Sequence, residues 1–352
     1  MKIMFDINNI IRTNIKNLKP YSSARDEFKG EASVYLDANE NAFGSPLATQ
    51  YNRYPDPMAY AVKTRLSEIK GVPAKNIFLG NGSDEAIDIL FRSFCNPSVD
   101  NVIIVPPTYG MYEVSANIND VELKRVNLTA DYQLNLEGIA EAIDKNTKLI
   151  FICSPNNPTG NSIHREDIET LLANFNGIVV IDEAYINFSR QKSFIQELTE
   201  YANLVVLQTL SKAWGLAALR VGMAFASEEI IEVFNKVKPP YNINEASQQL
   251  ALGALQNTNQ VNEWIKETLK ERDQLVVNLK NLDFVLDIYP SDANFILVKT
   301  TAADAIYNLL VDKGIIIRNR NKVELCEGCL RITIGTPQEN QTLIETLKSY
   351  KG

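Results

Sequence analysis

One histidine, His164, and four cysteines in 352 residues leave little from which to build a metal site. Cys326 and Cys329 form a CxxC, but zinc needs two further ligands close by, and His164 lies far off in sequence. The pair reads as packing, as does Cys153 inside the apolar run LIFIC, and no metal is expected. No stretch reaches the roughly 18–20 uninterrupted apolar residues of a membrane span. At the N-terminus Asp6, Asn8, Asn9 and Arg12 interrupt the apolar residues, so the hydrophobic segment of a signal peptide is missing. Few cysteines in an unexported chain suit a reducing cytoplasm, the expected location. The net charge is −8, and the most basic stretch, Lys63–Lys70, is broken by Glu68 and apolar residues. A nucleic-acid partner would require a basic face, so none is expected. A small anionic ligand remains compatible, because a few buried arginines can hold one against the global charge.

What is present is an ordinary globular composition, 45% hydrophobic, in a chain longer than one hydrophobic core supports. Two unequal lobes follow. Residues 1–45 read as an arm with little periodicity, and 46–57 stay loop-like. Apolar residues then recur at helical spacing from Tyr60 to Ile69, where Gly71 and Pro73 stop the helix. Six short β-rich runs alternate with helical stretches: Asn76–Leu79, Asn101–Val105, Leu149–Cys153, Ile178–Asp182, Leu204–Thr209 and Val221–Ala226. Near-continuous Val/Ile/Leu runs of this kind indicate a parallel sheet buried on both faces. Beyond Tyr241 the pattern changes. A long amphipathic stretch, about Glu245 to Asn281, precedes strands near Phe295–Val298, Ile315–Arg318 and Leu330–Ile334, which suggests a smaller α+β lobe. The fold class is therefore α/β, with boundaries expected at 1–45 (arm, part of the small domain), 46–243 (large domain) and 244–352 (small domain). Internal repeats and low-complexity tracts are lacking.

Four segments carry chemistry. Ser211-Lys212 leaves the LVVLQT run and enters a Gly/Ala-rich turn, and Arg220 follows eight residues on. Alone, the dipeptide equally marks a solvated lysine at a strand end. In a pocket, such a lysine loses its proton and adds to an aldehyde, and the guanidinium fork suits a phosphate. Asp182 ends the GIVVID run, where an aspartate either caps a helix or points into the crevice at the carboxyl ends of the strands. Asn157 lies in SPNNPTG, which is either a tight surface loop or a rigid turn projecting an amide. Gly82-Ser83-Asp84 lies between the NIFL run and the next helix. It has neither GxGxxG nor GKS/T spacing, but its glycine and free helix-start N–H groups make a monophosphate cradle. Tyr109, after NVIIV, has a ring that stacks on a flat heterocycle or simply packs.

The order cradle, tyrosine, asparagine, aspartate, lysine, arginine resembles the fold-type I aminotransferases, in which NPTG, D-x-A-Y and S-K-x-x-G-L-x-x-x-R recur. The resemblance covers nearly the whole chain. It implies a large domain with a mainly parallel seven-stranded sheet between helices and pyridoxal 5'-phosphate as cofactor. It further implies Asn157 and Tyr185 on the cofactor's phenolic oxygen, Asp182 on its pyridine nitrogen, and Ser83, Ser211 and Arg220 on its phosphate. Lys212 is then both the covalent anchor and the acid/base that moves the substrate proton.

More narrowly, the chain resembles the histidinol-phosphate aminotransferases. The matches are Pro20-Tyr21 with Ala24-Arg25, Leu36–Gly44, Arg53-Tyr54-Pro55, PTYGMYEVSA at 107–116, Ala293-Asn294-Phe295, Gly314–Arg318 and Cys329–Thr336. Ala42, Trp214 and Ala218 depart from the usual proline, phenylalanine and glycine, changes of packing scale that touch no charged role. This resemblance implies transfer between L-histidinol phosphate and 2-oxoglutarate, giving glutamate, in L-histidine biosynthesis. Arg331 would clamp a carboxylate, and Arg318, Tyr21 and Asn294 would serve the phosphate. It also implies a homodimer with shared active sites, Tyr54 reaching the partner's cofactor phosphate. An aromatic aminotransferase and a threonine-phosphate decarboxylase-like lyase would share the cofactor residues and remain alternatives.

Overall fold

A computed structural model describes residues 5–21 and 33–350; Ala24 and Arg25 lie outside them. Seven strands form the large sheet: β1 (Ile77–Asn81), β2 (Asn101–Ile104), β3 (Glu122–Arg125), β4 (Thr147–Cys153), β5 (Ile178–Asp182), β6 (Leu204–Thr209) and β7 (Val221–Ala226). Their order is β1-β7-β6-β5-β4-β2-β3. β7 runs antiparallel to both its neighbours, while β3, β2, β4, β5 and β6 pair in parallel.

Side-chain alternation explains why the central runs read as uniformly apolar. Ile150, Ile152, Val179, Ile181 and Val206 enter the core on one face. Leu149, Phe151, Val180, Val205 and Leu207 enter the core on the other. A strand between two helical layers must be apolar at every position. The edge strand β3 was not expected from the sequence. Its residues, ELKR, are partly exposed, and an edge protected by charge carries no apolar run. Lys124 pairs with Asp144 at 2.7 Å and Arg125 with Glu113 at 2.8 Å.

The small lobe is an antiparallel sheet of β8 (Val285–Ile288), β9 (Phe295–Thr300), β10 (Arg318–Asn319) and β11 (Cys329–Thr333), in the order β10-β11-β9-β8. Its core draws Leu275 and Leu279, Ile306 and Leu310, and Leu343 and Leu347 from three helices. Two expectations shift here. The stretch 245–281 is two helices, Glu245–Ala254 and Thr258–Leu279, which break at Leu255–Asn257. The strand expected over Ile315–Arg318 shrinks to two residues, because Gly314 turns at φ 76° and Ile316 is left exposed. The arm was expected with the small lobe, but its described start packs on the large one. Ile10 and Ile15 join the large sheet's outer core, and Arg12 Nη1 donates to the carbonyl of Arg92 at 2.7 Å.

The closest backbone approach lies where β7 passes the start of the helix Ser83–Phe94. A Cβ at Gly222 would come within 2.1 Å of the Ser83 nitrogen and 2.2 Å of the Gly82 carbonyl carbon. Neither is a flexible side-chain end, so Gly222→Ala should destabilise the protein by at least the 1–3 kcal/mol usual for overpacking. A urea-unfolding midpoint equal to wild type would show that this junction has slack.

Candidate active site

The parallel strands share one direction, so the residues just beyond their carboxyl ends converge on one crevice. A cavity there is lined by Gly82, Ser83 and Asp84 after β1, Tyr109 after β2, and Asn157 after β4. Asp182 and Tyr185 at the end of β5 and Ser211, Lys212 and Arg220 around the β6–β7 connection complete it. Segments separated by over a hundred residues in sequence are thus brought together as expected. Cys153, expected only to pack, also lines it, as do Ala184 and Thr209, for which the sequence suggested no role.

At the phosphate end the helix Ser83–Phe94 starts without a side-chain cap, so its first N–H groups remain available to an anion. Arg220 sits in the left-handed region, φ 54° and ψ 46°, and its carbonyl accepts from Gly82 N at 2.8 Å. Its guanidinium reaches Asp84 Oδ2 at 3.3 Å and Ser211 Oγ at 3.4 Å. Thr209 Oγ1 donates to Ser211 Oγ at 2.9 Å. Two hydroxyls, a guanidinium and a helix start therefore face one spot, which fits a phosphate monoester.

At the opposite end Asp182 is 3% exposed. It caps no helix. One oxygen accepts from Ala184 N at 3.1 Å and the other from the Tyr112 hydroxyl at 2.8 Å. Burial pushes its carboxyl up to about 6, with the Tyr112 and Ala184 hydrogen bonds opposing. A buried carboxylate with no cation within ion-pair distance among the described residues suits a protonated ring nitrogen.

Between the two ends Tyr109 presents its ring, and its hydroxyl donates to Asp84 Oδ1 at 3.1 Å. Asn156, not Asn157, holds the SPNNPTG turn, donating to the Pro107 carbonyl at 2.8 Å and to Thr159 Oγ1 at 2.7 Å. Asn157 faces the cavity, and its Oδ1 accepts from Arg331 Nη1, which leaves the amide N–H groups to donate. Lys212 Nζ lies 5.5 Å from the centre of the Tyr185 ring. Burial, then the nearby positive charge of Arg331, depresses its ammonium pKa, a shift in the direction of the free amine. A phosphate cradle, an aromatic face, an amide donor, a counter-charge and an amine fit pyridoxal 5'-phosphate at each of its polar groups.

A cleft of about 800 Å³ continues outward, sharing Tyr109, Asn157, Tyr185 and Lys212 and adding Arg318, Arg320, Lys322 and Arg331. Arg318 and Arg331 are direct cross-strand neighbours on β10 and β11, a like-charge arrangement that is unfavourable unless an anion joins it. Burial, then Arg320, lowers the Arg331 pKa, and burial, then Arg318, lowers that of Arg320. The Nε atoms of Arg320 and Arg331 are buried without hydrogen-bond partners. Arg320 was missed in the sequence, although it stands two residues beyond Arg318, the spacing that returns a strand residue to the same face.

Tyr21, 71% exposed, and Asn294 line neither the cavity nor the cleft. Nor does Tyr54, which stacks on Tyr241 with centroids 4.5 Å apart. Cys326 and Cys329 are buried in the core.

Because folding moves the Asp182 carboxyl from its ordinary 3.8 to about 6, the folded state holds this proton to higher pH than the unfolded one. Its contribution is intact below pH 3.8 and is lost as pH rises through 6, a cost reaching about 3 kcal/mol. Cofactor-free Asp182→Asn should therefore melt above wild type at pH 8, with the gain shrinking toward pH 4. A gain independent of pH would count against an ionised Asp182.

Comparison with known proteins agrees with this geometry. The aminotransferase class I and II family matches residues 34–347. A histidinol-phosphate aminotransferase of Parabacteroides distasonis is 55% identical over 99% of this chain and 100% of that protein. One of Cytophaga hutchinsonii is 54% identical over 98% and 99%. The crystal structure of the histidinol-phosphate aminotransferase from Clostridium acetobutylicum superposes with a TM-score of 0.78 at 25% identity, covering 85% of this chain and 90% of that one. The chain belongs to the class I and II aminotransferases and, within them, to the histidinol-phosphate aminotransferase family.

Proposed function

We propose that this protein exchanges an amino group between L-histidinol phosphate and 2-oxoglutarate, giving imidazole-acetol phosphate and L-glutamate, in cytoplasmic L-histidine biosynthesis. The observation that carries the reading is the cationic cleft. Arg318, Arg320 and Arg331 face it beside Lys212, and none has a carboxylate partner among the described residues. Such a cleft selects substrates that bring an anion, and its several guanidiniums accommodate either a carboxylate or a phosphate.

Bound pyridoxal 5'-phosphate supplies the electron sink that makes the substrate's α-proton acidic. The chain's residues do the rest. Ser83, Ser211, Arg220 and the Gly82–Asp84 backbone hold the phosphate, and Asp182 holds the ring nitrogen. Asn157 and Tyr185 hold the phenolic oxygen, while Tyr109 covers one face. Lys212 would anchor the group covalently, and its amine would carry the substrate's α-proton. Arg331 clamps glutamate's α-carboxylate, and Arg318 with Arg320 takes the histidinol phosphate group. The lobes divide in this reading into 46–243, on which the start of the arm packs, and 244–352.

The active unit is a homodimer. Phe43 (102%), Leu36 (87%), Leu47 (61%) and Tyr60 (60%) are apolar or aromatic side chains left exposed around the Tyr54 loop, a concentration typical of an interface. Pro55 and Pro57 stiffen that loop, and Glu40 accepts from Tyr54 N at 2.6 Å. Tyr54 crosses to the partner's cofactor phosphate.

Glutamate alone should release one equivalent of 2-oxoglutarate per Lys212 site, and histidinol phosphate should outcompete phenylalanine. Carbon dioxide from O-phosphothreonine, or a preference for phenylalanine, would redirect the assignment. Lys212→Ala should abolish turnover yet still bind the cofactor non-covalently. Tyr54→Phe should loosen the cofactor by about tenfold, the worth of one hydrogen bond to a charged acceptor. Mixed dimers of Tyr54→Phe and Lys212→Ala should recover about half of wild-type activity, since a trans contact leaves one of two sites intact. Activity no better than the average of the two variants would place Tyr54 in its own subunit's site.

A further inference from the structure

Tyr112 lies in the first turn of the helix Met111–Ile118, three residues after Tyr109, and is wholly buried. Its ring lies on Phe151, centroids 4.8 Å apart at 19°, and meets Tyr109 edge-on at 5.6 Å and 85°. Phenylalanine would fill that space equally well. The hydroxyl therefore needs another explanation: it also touches the Cys153 thiol, but its charged partner is Asp182 Oδ2 at 2.8 Å. We propose that Tyr112 is a positioning residue whose hydroxyl orients the Asp182 carboxylate and keeps it ionised to receive the cofactor's ring nitrogen.

The surroundings make this donor necessary. Among the described residues the Asp182 carboxylate has only one other donor, Ala184 N. Burial disfavours its charge, and Asp84, on the helix Ser83–Phe94, disfavours it further; Lys212, beyond β6, favours it. The remaining titratable groups facing it are Cys153 on β4, Tyr109 and Tyr185. Burial pushes each of their pKa values up, so all three stay neutral. The Cys153 thiol is directed to the Pro155 carbonyl at 3.4 Å. Burial raises the Tyr112 phenol well above its ordinary pKa as well, so it remains a donor throughout the working pH range. Tyr112 also braces Tyr109, so one side chain sets both the counter-charge and the stacking ring.

The inference rests on the pocket being a pyridoxal-phosphate site, and a double-mutant cycle separates the two. Dissociation constants for pyridoxal 5'-phosphate are measured on full-length wild type, Tyr112→Phe, Asp182→Asn and the double variant. Tyr112→Phe should loosen the cofactor about tenfold, the scale of one hydrogen bond to a charged group, and should add nothing in the Asp182→Asn background. An equal loss in both backgrounds, or none in either, overturns the role of Tyr112. Failure of wild type to bind pyridoxal 5'-phosphate overturns the pocket reading instead. Should Tyr112→Phe not fold, 3-fluorotyrosine at position 112 supplies a stronger donor. It should lower the midpoint of the pH-dependent loss of stability of the cofactor-free protein, and an unmoved midpoint overturns the proposal.

Discussion

A carboxylate kept where burial disfavours it is the constraint around which this site is arranged. Asp182 ends the central strand β5, 3% exposed, and the desolvation of its charge is only partly offset by a phenol and a backbone amide. No cationic side chain among the described residues lies within ion-pair distance of it, which suits a ligand that brings the cation. The strand direction delivers Asp182 to the crevice, and the SPNNPTG turn and the Lys212 connection leave the adjacent strands β4 and β6. Asp182 would therefore hold the ring nitrogen while the helix start at Ser83 would hold the phosphate. Function is held here at a cost in stability that a neutral residue would avoid.

The same logic, with opposite sign, governs the cleft. Arg318 and Arg331 are paired across β10 and β11, and Arg320 stands beside them with its Nε unbonded. A fold selected for stability alone would interleave carboxylates. Instead an excess of positive charge is held in partly desolvated surroundings, where it strengthens each contact with an incoming anion. Arg331 is oriented by Asn157, so a guanidinium of the cleft and an amide of the cavity are mechanically linked. In the proposed function that link would fix the substrate's anionic end relative to the reactive centre, the positional requirement of a reaction that moves one proton.

Much of this was legible before folding was considered. The central strands announce themselves because burial on both faces demands unbroken Val/Ile/Leu runs, and β5, β6 and β7 fall at their expected residues. Lys212, Asp182 and Asn157 were legible because each follows such a run, where a parallel sheet opens its crevice. Strand β3 escaped because charged edge residues carry no apolar signal, and β10 was overestimated because an Ile-rich run can lie outside the sheet with Ile317 buried and Ile316 exposed. Tyr112 and Arg320 escaped for another reason. Their spacings, i+3 from Tyr109 on a helix and i+2 from Arg318 along a strand, gave the right face, but a tyrosine in an apolar helix and an arginine among asparagines are also ordinary packing and surface residues.

What the sequence determined by itself is the inventory and its direction: a parallel sheet, its loops, and the residue types chemically suited to an anchored phosphate cofactor. These depend on local patterns, apolar periodicity and turn chemistry, which neighbours in the chain impose on one another. What only the tertiary structure decided is which groups are partnered. That Asp182 receives a phenol from a helix seventy residues earlier, that Asn157 receives a guanidinium from the small lobe, and that three cleft arginines lack carboxylates among the described residues depend on long-range packing. Burial and hydrogen-bond satisfaction are properties of the assembled interior, and no run of adjacent residues carries them.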